Sequence, residues 1–205
     1  MNLKPLLIVL GEPNSVFSEI LFKYYKYKIK NFKKPIILIG SKKLLKKQML
    51  SLGYFFKFNL VEVNDLKNKK FSNKFLNIIN INYSFKKTFD KISNKSEEYI
   101  KNSFKVALDI LKNKKAIGLI NGPISKKHLL RNKYFGITEY LSNKVGLKNN
   151  GVMLIYNNHL SVSPLTTHIP LKMVSKNISK KKIINNALKI NKFYKNYLKK
   201  KPRIA

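Results

Sequence analysis

LLIVLGEPNSVFSEILFKYY, residues 6–25, carries the signature that decides the fold class. Five apolar residues in a row, Leu6 to Leu10, suit a strand buried on both faces, as in a parallel sheet covered on each side. Gly11-Glu12-Pro13 breaks the run. A helical face follows with Ile20, Leu21, Tyr24 and Tyr25, and Asn14 or Ser15 stands where a helix cap belongs. The same unit recurs downstream. Pro35 to Ile39 reads as a second strand, Gly40-Ser41 as its turn, and Leu44, Leu45, Gln48, Met49 and Leu52 as one face of a helix that Gly53 stops. Phe56, Phe58, Leu60 and Val61 suggest a third strand. Residues 65–94, rich in lysine and asparagine, support no assignment beyond a strand near Ile78 to Ile81.

Further along, Ser96 to Lys112 is the clearest helix. Ser96 is placed to cap it, Glu97 and Glu98 complement its positive end, and Ile100, Phe104, Ala107, Leu108 and Leu111 share a face. It leads into another buried run, Ala116 to Ile120. Strand, tight turn and helix in repetition predict an α/β fold, a three-layer α/β/α sandwich around a largely parallel sheet. Leu6 to Leu10, Ile36 to Ile39 and Ile117 to Ile120 are expected side by side in it. Two domains are expected, residues 1–126 and an incomplete second one over 127–205.

Composition narrows the class of protein. The 205 residues hold 44% hydrophobic and 12% aromatic side chains, enough for a packed core rather than a disordered chain. No cysteine is present, which excludes disulfides and thiolate metal sites and suits a reducing compartment, so a cytoplasmic protein is expected. The apolar start is too short to span a membrane and lacks a signal-peptide cleavage region. Forty-three basic residues against nine acidic ones give a net charge of +34, which ordinarily points to polyanions. Only Arg131 and Arg203 are arginines, however, and the 41 lysines are spread through every segment among many asparagines. Arginine is the residue that reads phosphates and bases with a fixed fork. The expectation is therefore drift in composition, with no sequence-specific nucleic-acid binding and no membrane partner.

The candidate functional residues lie in GVMLIYNNHLSVSPLTTHIPLKMVSKNISKKKI, residues 151–183. Val152 to Ile155, and Leu160, Val162 and Leu165 after Asn157-Asn158, read as a pair of adjacent buried strands. Thr166-Thr167-His168 then falls at a strand end, where α/β folds place ligands, and Ile169-Pro170 marks the exit from regular structure. His168 is a candidate metal ligand by residue type. His128 and His159 read as surface residues.

These words closely resemble 4-hydroxythreonine-4-phosphate dehydrogenases. The pattern V-M-x-L, then L-x-V-x-x-x-T-T-H-[LI]-P-L-x-x-V, then a helix opening with I-[ST], runs through residues 152–179. Gly11-Glu12-Pro13-Asn14-Ser15-Val16-Phe17-Ser18-Glu19-Ile20 resembles the family's opening G-[DE]-P-A-G-I-G-P-E, with both later glycines replaced. Asn121-Gly122-Pro123-Ile124-Ser125-Lys126 resembles its T-G-P-[IV]-x-K turn. Phe135-Gly136-Ile137-Thr138-Glu139-Tyr140-Leu141 resembles F-x-G-H-T-E-[FY]-[LF], with Ile137 where the family has a substrate-binding histidine.

The resemblance implies an isocitrate/isopropylmalate dehydrogenase-like fold and covers about the first three fifths of the family. It also implies oxidation and decarboxylation of 4-phosphooxy-threonine in vitamin B6 synthesis, with NAD or NADP and a divalent metal (zinc, magnesium or cobalt), by a homodimer. His168 matches one of three metal histidines. Thr138, with the Ile137 position, matches the substrate contacts. The family's G-L-N-P-H segment with its second metal histidine, and the third histidine, would follow the strand expected to begin at Pro202-Arg203-Ile204-Ala205. Without them the chain is expected to lack turnover. No G-x-G-x-x-G fingerprint occurs, so no nicotinamide-contacting or catalytic residue can be named. A non-catalytic α/β binding protein on the same scaffold, or a polyanion-binding protein, are the alternatives.

Overall fold

In a computed structural model, residues 3–130, 134, 136–147 and 151–205 are described. Arg131 and Phe135, which enter the sequence arguments above, lie outside them. The chain divides into two compact units, Met1–Asn132 and Lys133–Ala205.

In the first unit, β1 (Leu6–Val9), β2 (Ile36–Gly40), β3 (Phe58–Leu60), β4 (Leu76–Asn80) and β5 (Gly118–Asn121) form one sheet in the order β3-β4-β2-β1-β5. Every pairing is parallel. Leu6 aligns with Ile36 on one side and Gly118 on the other, so the three long apolar runs lie side by side as expected. The α-helices of this unit are α1 (Phe17–Tyr27), α2 (Lys42–Ser51), α3 (Asp65–Asn68) and α4 (Glu97–Lys112), and α5 (Ile137–Lys144) lies in the second. Ile8, Leu10, Ile36, Leu38, Leu76 and Ile78 pack with Leu21, Phe22, Tyr25, Leu45 and Met49 from α1 and α2. The alternate residues Leu7, Val9, Ile37 and Ile39 are equally buried, and α4 packs against β1, β2 and β5. Helices thus cover both faces of the central strands, which is why these are apolar without alternation. The expected burial of Ala116 to Ile120 is met only at Ala116: β5 lies at the sheet edge, and Ile117 is 41% and Ile120 46% exposed.

The helix ends depart from the sequence reading in two places. Ser41 caps α2, its Oγ accepting from Leu44 N at 3.3 Å. Ser96 does not cap α4. Its hydroxyl donates instead to Glu12 Oε2 at 2.8 Å and to Ser93 O at 3.1 Å. Glu12 is only 2% exposed, so its buried carboxylate holds the serine hydroxyl in a charge-assisted bond, and the oxygen accepts from no backbone N–H of the helix end. Neither Asn14 nor Ser15 is the N-cap of α1; that position is Val16, with no side-chain cap. Ser15 Oγ still accepts from Phe17 N at 3.4 Å and donates to Glu12 O.

Two buried tyrosines make a matched test of polar burial. Burial pushes both phenols above the ordinary tyrosine range. Tyr99 OH accepts from Ser41 N at 3.2 Å, whereas Tyr25 OH is buried with no partner among the described residues. Tyr99→Phe is expected to cost about 1–2 kcal/mol, because it leaves Ser41 N unpaired. Tyr25→Phe is expected to be neutral or stabilising by up to about 1 kcal/mol, since it removes a desolvated hydroxyl that gains nothing. Urea midpoints that move the same way for both would contradict this account.

The second unit contains α5 and α6 (Lys180–Phe193). The expected pair of buried strands is not there. Val152–Leu165 makes a single antiparallel bridge, Ile155 to Val162; Ile155, Leu160 and Val162 are 61%, 73% and 52% exposed, while Val152, Met153, Leu154 and Leu165 are only half-buried. Apolar runs become buried strands only when a sheet and a covering layer receive them, and the described residues of this unit offer neither. Side-chain bonds hold the segment instead: Gly151 N donates to Ser142 Oγ, Ser163 Oγ to Met153 O, and Tyr194 OH to Ser161 Oγ. Residues 201–205, expected to open a strand, carry no regular structure. No helix among the described residues is long and apolar enough to cross a membrane.

Candidate functional site

In the first unit, two of the quoted motifs meet at the carboxyl ends of β1 and β5. The turn at Gly11 has φ +72°, a left-handed conformation, and a Cβ there would sit 2.3 Å from Pro123 O. A Cβ on Gly122 would sit 2.3 Å from Leu10 O. Gly122 N donates to Val9 O and Glu12 N to Pro123 O, each at 2.7 Å, so the two turns are stitched through backbone alone. Strand order reverses at this point, because β2 and β5 flank β1 on opposite sides. Such a switch point is where open α/β sheets take ligands. Glu12 sits beneath it, accepting from Asn14 N and Ser96 Oγ.

The second unit holds the other two motifs. Gly136 is the N-cap of α5, in extended conformation, and its carbonyl accepts from Tyr140 N. Thr138 and Glu139 occupy the first turn, where a carboxylate is favoured by the positive end of the helix. Thr166 and Thr167 lead to His168, whose φ of +56° puts it in the left-handed region that few non-glycine residues adopt. Ser179 caps α6, accepting from Lys182 N at 3.3 Å, so the helix opens at Ile178-Ser179 as the sequence predicts.

These elements enclose a cleft of about 390 Å³. Thr138, Glu139 and Thr167 line one part of it, and Lys181 and Lys182 another. Its wall therefore combines hydroxyls with two cations close to an amino-terminal helix end, a chemistry that suits an anion. Ile137, half-buried, and His168, exposed, are not among the residues that line it. His168 is nonetheless at hand: a Cβ on Gly136 would lie 3.8 Å from His168 Nε2 and 3.0 Å from Glu139 Oε2. Thr167 Oγ1 donates to Glu139 Oε1 at 3.4 Å, while Oε2 is buried with no partner among the described residues.

For a divalent metal this arrangement fits one corner of a site. An exposed imidazole and an orphaned carboxylate oxygen both approach Gly136, and no ion pair joins them. Among the described residues no group of three or more histidine, cysteine, aspartate or glutamate side chains comes together. His128 pairs with Asn94 Oδ1 in the first unit, and His159 is exposed on the turn after Asn157. The sequence analysis assigned no role to Glu139. Its motif position was the available signal, but nothing in the spacing says that this side chain turns toward Thr167.

Residues 31–205 match the protein family described as pyridoxal phosphate biosynthetic protein PdxA. The chain is 34% identical over 204 residues to the 4-hydroxythreonine-4-phosphate dehydrogenase of Sulfurihydrogenibium sp. (strain YO3AOP1), covering 98% of this chain and 61% of that protein. To the protein of the same name from Zymomonas mobilis it is 25% identical over 209 residues, covering 99% and 60%. Among solved structures, the 4-hydroxythreonine-4-phosphate dehydrogenase of Burkholderia phymatum superposes with a TM-score of 0.79 at 19% identity, over 94% of this chain and 58% of that one. That of Klebsiella pneumoniae gives 0.77 at 18%, over 94% and 59%. The chain thus spans about three fifths of the length of the relatives it matches, and the structural likeness speaks to fold.

Proposed function

Because the chain belongs to the pyridoxal phosphate biosynthetic protein PdxA family, we propose that it serves the oxidation and decarboxylation of 4-phosphooxy-threonine to an aminoacetone phosphate in vitamin B6 synthesis, with NAD or NADP as acceptor. The observation that carries this reading is the family match running through the segment that joins Thr138, Thr167 and the cleft. In it, Thr138 donates a hydrogen bond to substrate, and His168 offers a ring nitrogen to a divalent cation, zinc, magnesium or cobalt. When bound, such a cation supplies positive charge against the oxygen of the reacting alcohol and of the carbonyl that replaces it. Ile137 brings neither a donor nor a charge, and Lys181 and Lys182, which line the cleft, supply the attraction for a phosphorylated substrate. No step is assigned to a nicotinamide-binding residue. The reading includes a homodimer and a cytoplasmic location; exposed Ile183 and Leu188 on α6 and Leu160 are side chains of the kind that subunit contacts cover.

One imidazole does not make a stable divalent site, which takes three or four ligands. The 205-residue chain is therefore expected to bind zinc weakly and to show no turnover. Extended by the remaining two fifths of the Sulfurihydrogenibium relative, it is expected to bind zinc and reduce NAD with 4-phosphooxy-threonine. His168→Ala in that extended protein should lower metal affinity on the order of 100-fold or more. Zinc titration and NADH absorbance measure both. Turnover by the short chain, or indifference of the extended one to His168→Ala, would overturn the assignment.

A second reading is favoured by Ile137 and by the opening turn, where both later glycines of the motif are replaced. In it the scaffold binds a phosphorylated ligand without chemistry. An extended protein that binds 4-phosphooxy-threonine yet stays inactive even after Ile137→His would favour this second reading.

A further inference from the structure

Two hydroxyls of the first unit, Ser18 Oγ and Tyr25 OH, are buried with no partner among the described residues. A buried polar atom without a hydrogen bond costs free energy, so each calls for a physical account. Their surroundings differ. Tyr25 packs inside the apolar cluster between the sheet, α1 and α2. Ser18, in the first turn of α1, lines a cavity of about 20 Å³ whose wall also includes Glu12, Ser41, Gln48 and Tyr99. These four are buried as well, none more than 5% exposed. Leu10, Leu44 and Leu45 close much of the remaining wall.

Volume and charge together select the occupant. One water molecule needs about 10–15 Å³ of such space and two to four polar partners, and the cavity meets both conditions. A cation is disfavoured, because the first turns of α1 and α4 and the N-cap of α2 all contribute to the wall, and helix amino ends are positive. Glu12 already accepts from Asn14 N at 3.3 Å and from Ser96 Oγ at 2.8 Å, so its charge is met without one. An anion would be repelled by the same carboxylate. A neutral molecule that both donates and accepts suits a hydroxyl and a carboxylate that share a cavity and make no bond to each other.

We propose that this cavity is a hydration site for one ordered water, which accepts the hydrogen of Ser18 Oγ and donates to the carboxylate of Glu12. The water ties α1 to the Gly11-Glu12-Pro13 turn, the same turn that meets Pro123 through backbone alone. The proposal does not rest on the dehydrogenase reading.

The test uses the 205-residue chain and oxygen-17 relaxation dispersion of water, which counts molecules held long enough to tumble with the protein. The count is expected to fall by one in Ser18→Val, whose added methyl groups take up the space, and to stay unchanged in Tyr25→Phe. An unchanged count in a folded Ser18→Val variant would overturn the proposal. Ser18→Ala gives a second measurement that does not depend on filling the cavity. Alanine is the better helix former and loss of an unbonded hydroxyl is not costly, so without the water the urea midpoint rises. With the water it falls, since a bonded hydroxyl has been removed. A rise would sink the idea. The fall should also shrink in a Glu12→Gln background, whose neutral amide holds the water less strongly than a carboxylate does. Equal falls in the two backgrounds would show that Glu12 is not the water's other partner, contrary to the proposal.

Discussion

Gly11→Ala is expected to cost about 3 kcal/mol or more, a large part of the roughly 5–15 kcal/mol that holds a domain folded. Two penalties add at this residue. With φ at +72°, a side chain meets the left-handed penalty of about 1–2 kcal/mol. The new Cβ also lies 2.3 Å from Pro123 O, a backbone atom that cannot rotate away. Relief would require the turns after β1 and β5 to separate, breaking the 2.7 Å bond from Glu12 N to Pro123 O. Gly53→Ala is the control: φ is +71° but nothing lies within 4 Å of the new atom, so only the conformational penalty applies. Urea unfolding of the three proteins should rank them unaltered, Gly53→Ala, Gly11→Ala in falling midpoint. Equal midpoints for the two variants would mean that the close approach of the turns is not a constraint.

Legibility followed the number of neighbours a residue answers to. Leu6 to Leu10 and Ile36 to Ile39 were readable as parallel strands because both faces are covered, and the resulting apolar run needs no knowledge of what covers it. Val152 to Ile155 has the same appearance and a different fate. A run of apolar residues states a capacity for burial, and the partner that realises it is not written locally. Ser96 failed for a related reason. As a cap it obeys a rule three residues long, yet it serves Glu12, 84 positions earlier. Residues 65–94 gave only a strand near Ile78 to Ile81, which the structure has at Leu76–Asn80, since lysine and asparagine dilute the periodicity that would have revealed α3.

The site was legible in its words and not in its geometry. Thr138 was singled out through resemblance and His168 first by its residue type, and both fall in the second unit, one on the wall of the cleft and one outside its lining. The exposure of His168, its left-handed backbone and the approach of Glu139 to Gly136 depend on how residues 136–139 and 166–168 are brought together. No spacing rule connects two segments about 30 residues apart. Dispersed lysine was the converse case. Three ion pairs, Lys23–Glu19, Lys69–Asp65 and Lys101–Glu97, follow the i,i+4 pattern and contribute little because each lysine is open to solvent, while Lys181 and Lys182 matter because of the cleft they line.

Phe22→Ala is expected to cost about 3–5 kcal/mol, the range for removing a fully buried ring. Phe22 is 0% exposed and stands at the junction of α1 with the chain that enters β3. Its ring lies 5.5 Å from that of Tyr54 and 6.2 Å from that of Phe56, and Tyr25 meets Phe56 edge-on at 6.0 Å. Removing Phe22 therefore opens a cavity and strips two other rings of a shared neighbour, each such pair being worth about 0.5–1.5 kcal/mol beyond its buried area. Phe22→Leu keeps much of the volume and should cost about half as much. Next to Tyr54 in the same GYFFKF stretch the contrast is sharp: Phe55 is 80% exposed, and Phe55→Ala should move stability by no more than about 0.5 kcal/mol. Calorimetric or urea unfolding of the three variants decides the matter. If Phe55→Ala destabilises as much as Phe22→Ala, the face of this segment that joins the core has been assigned to the wrong side.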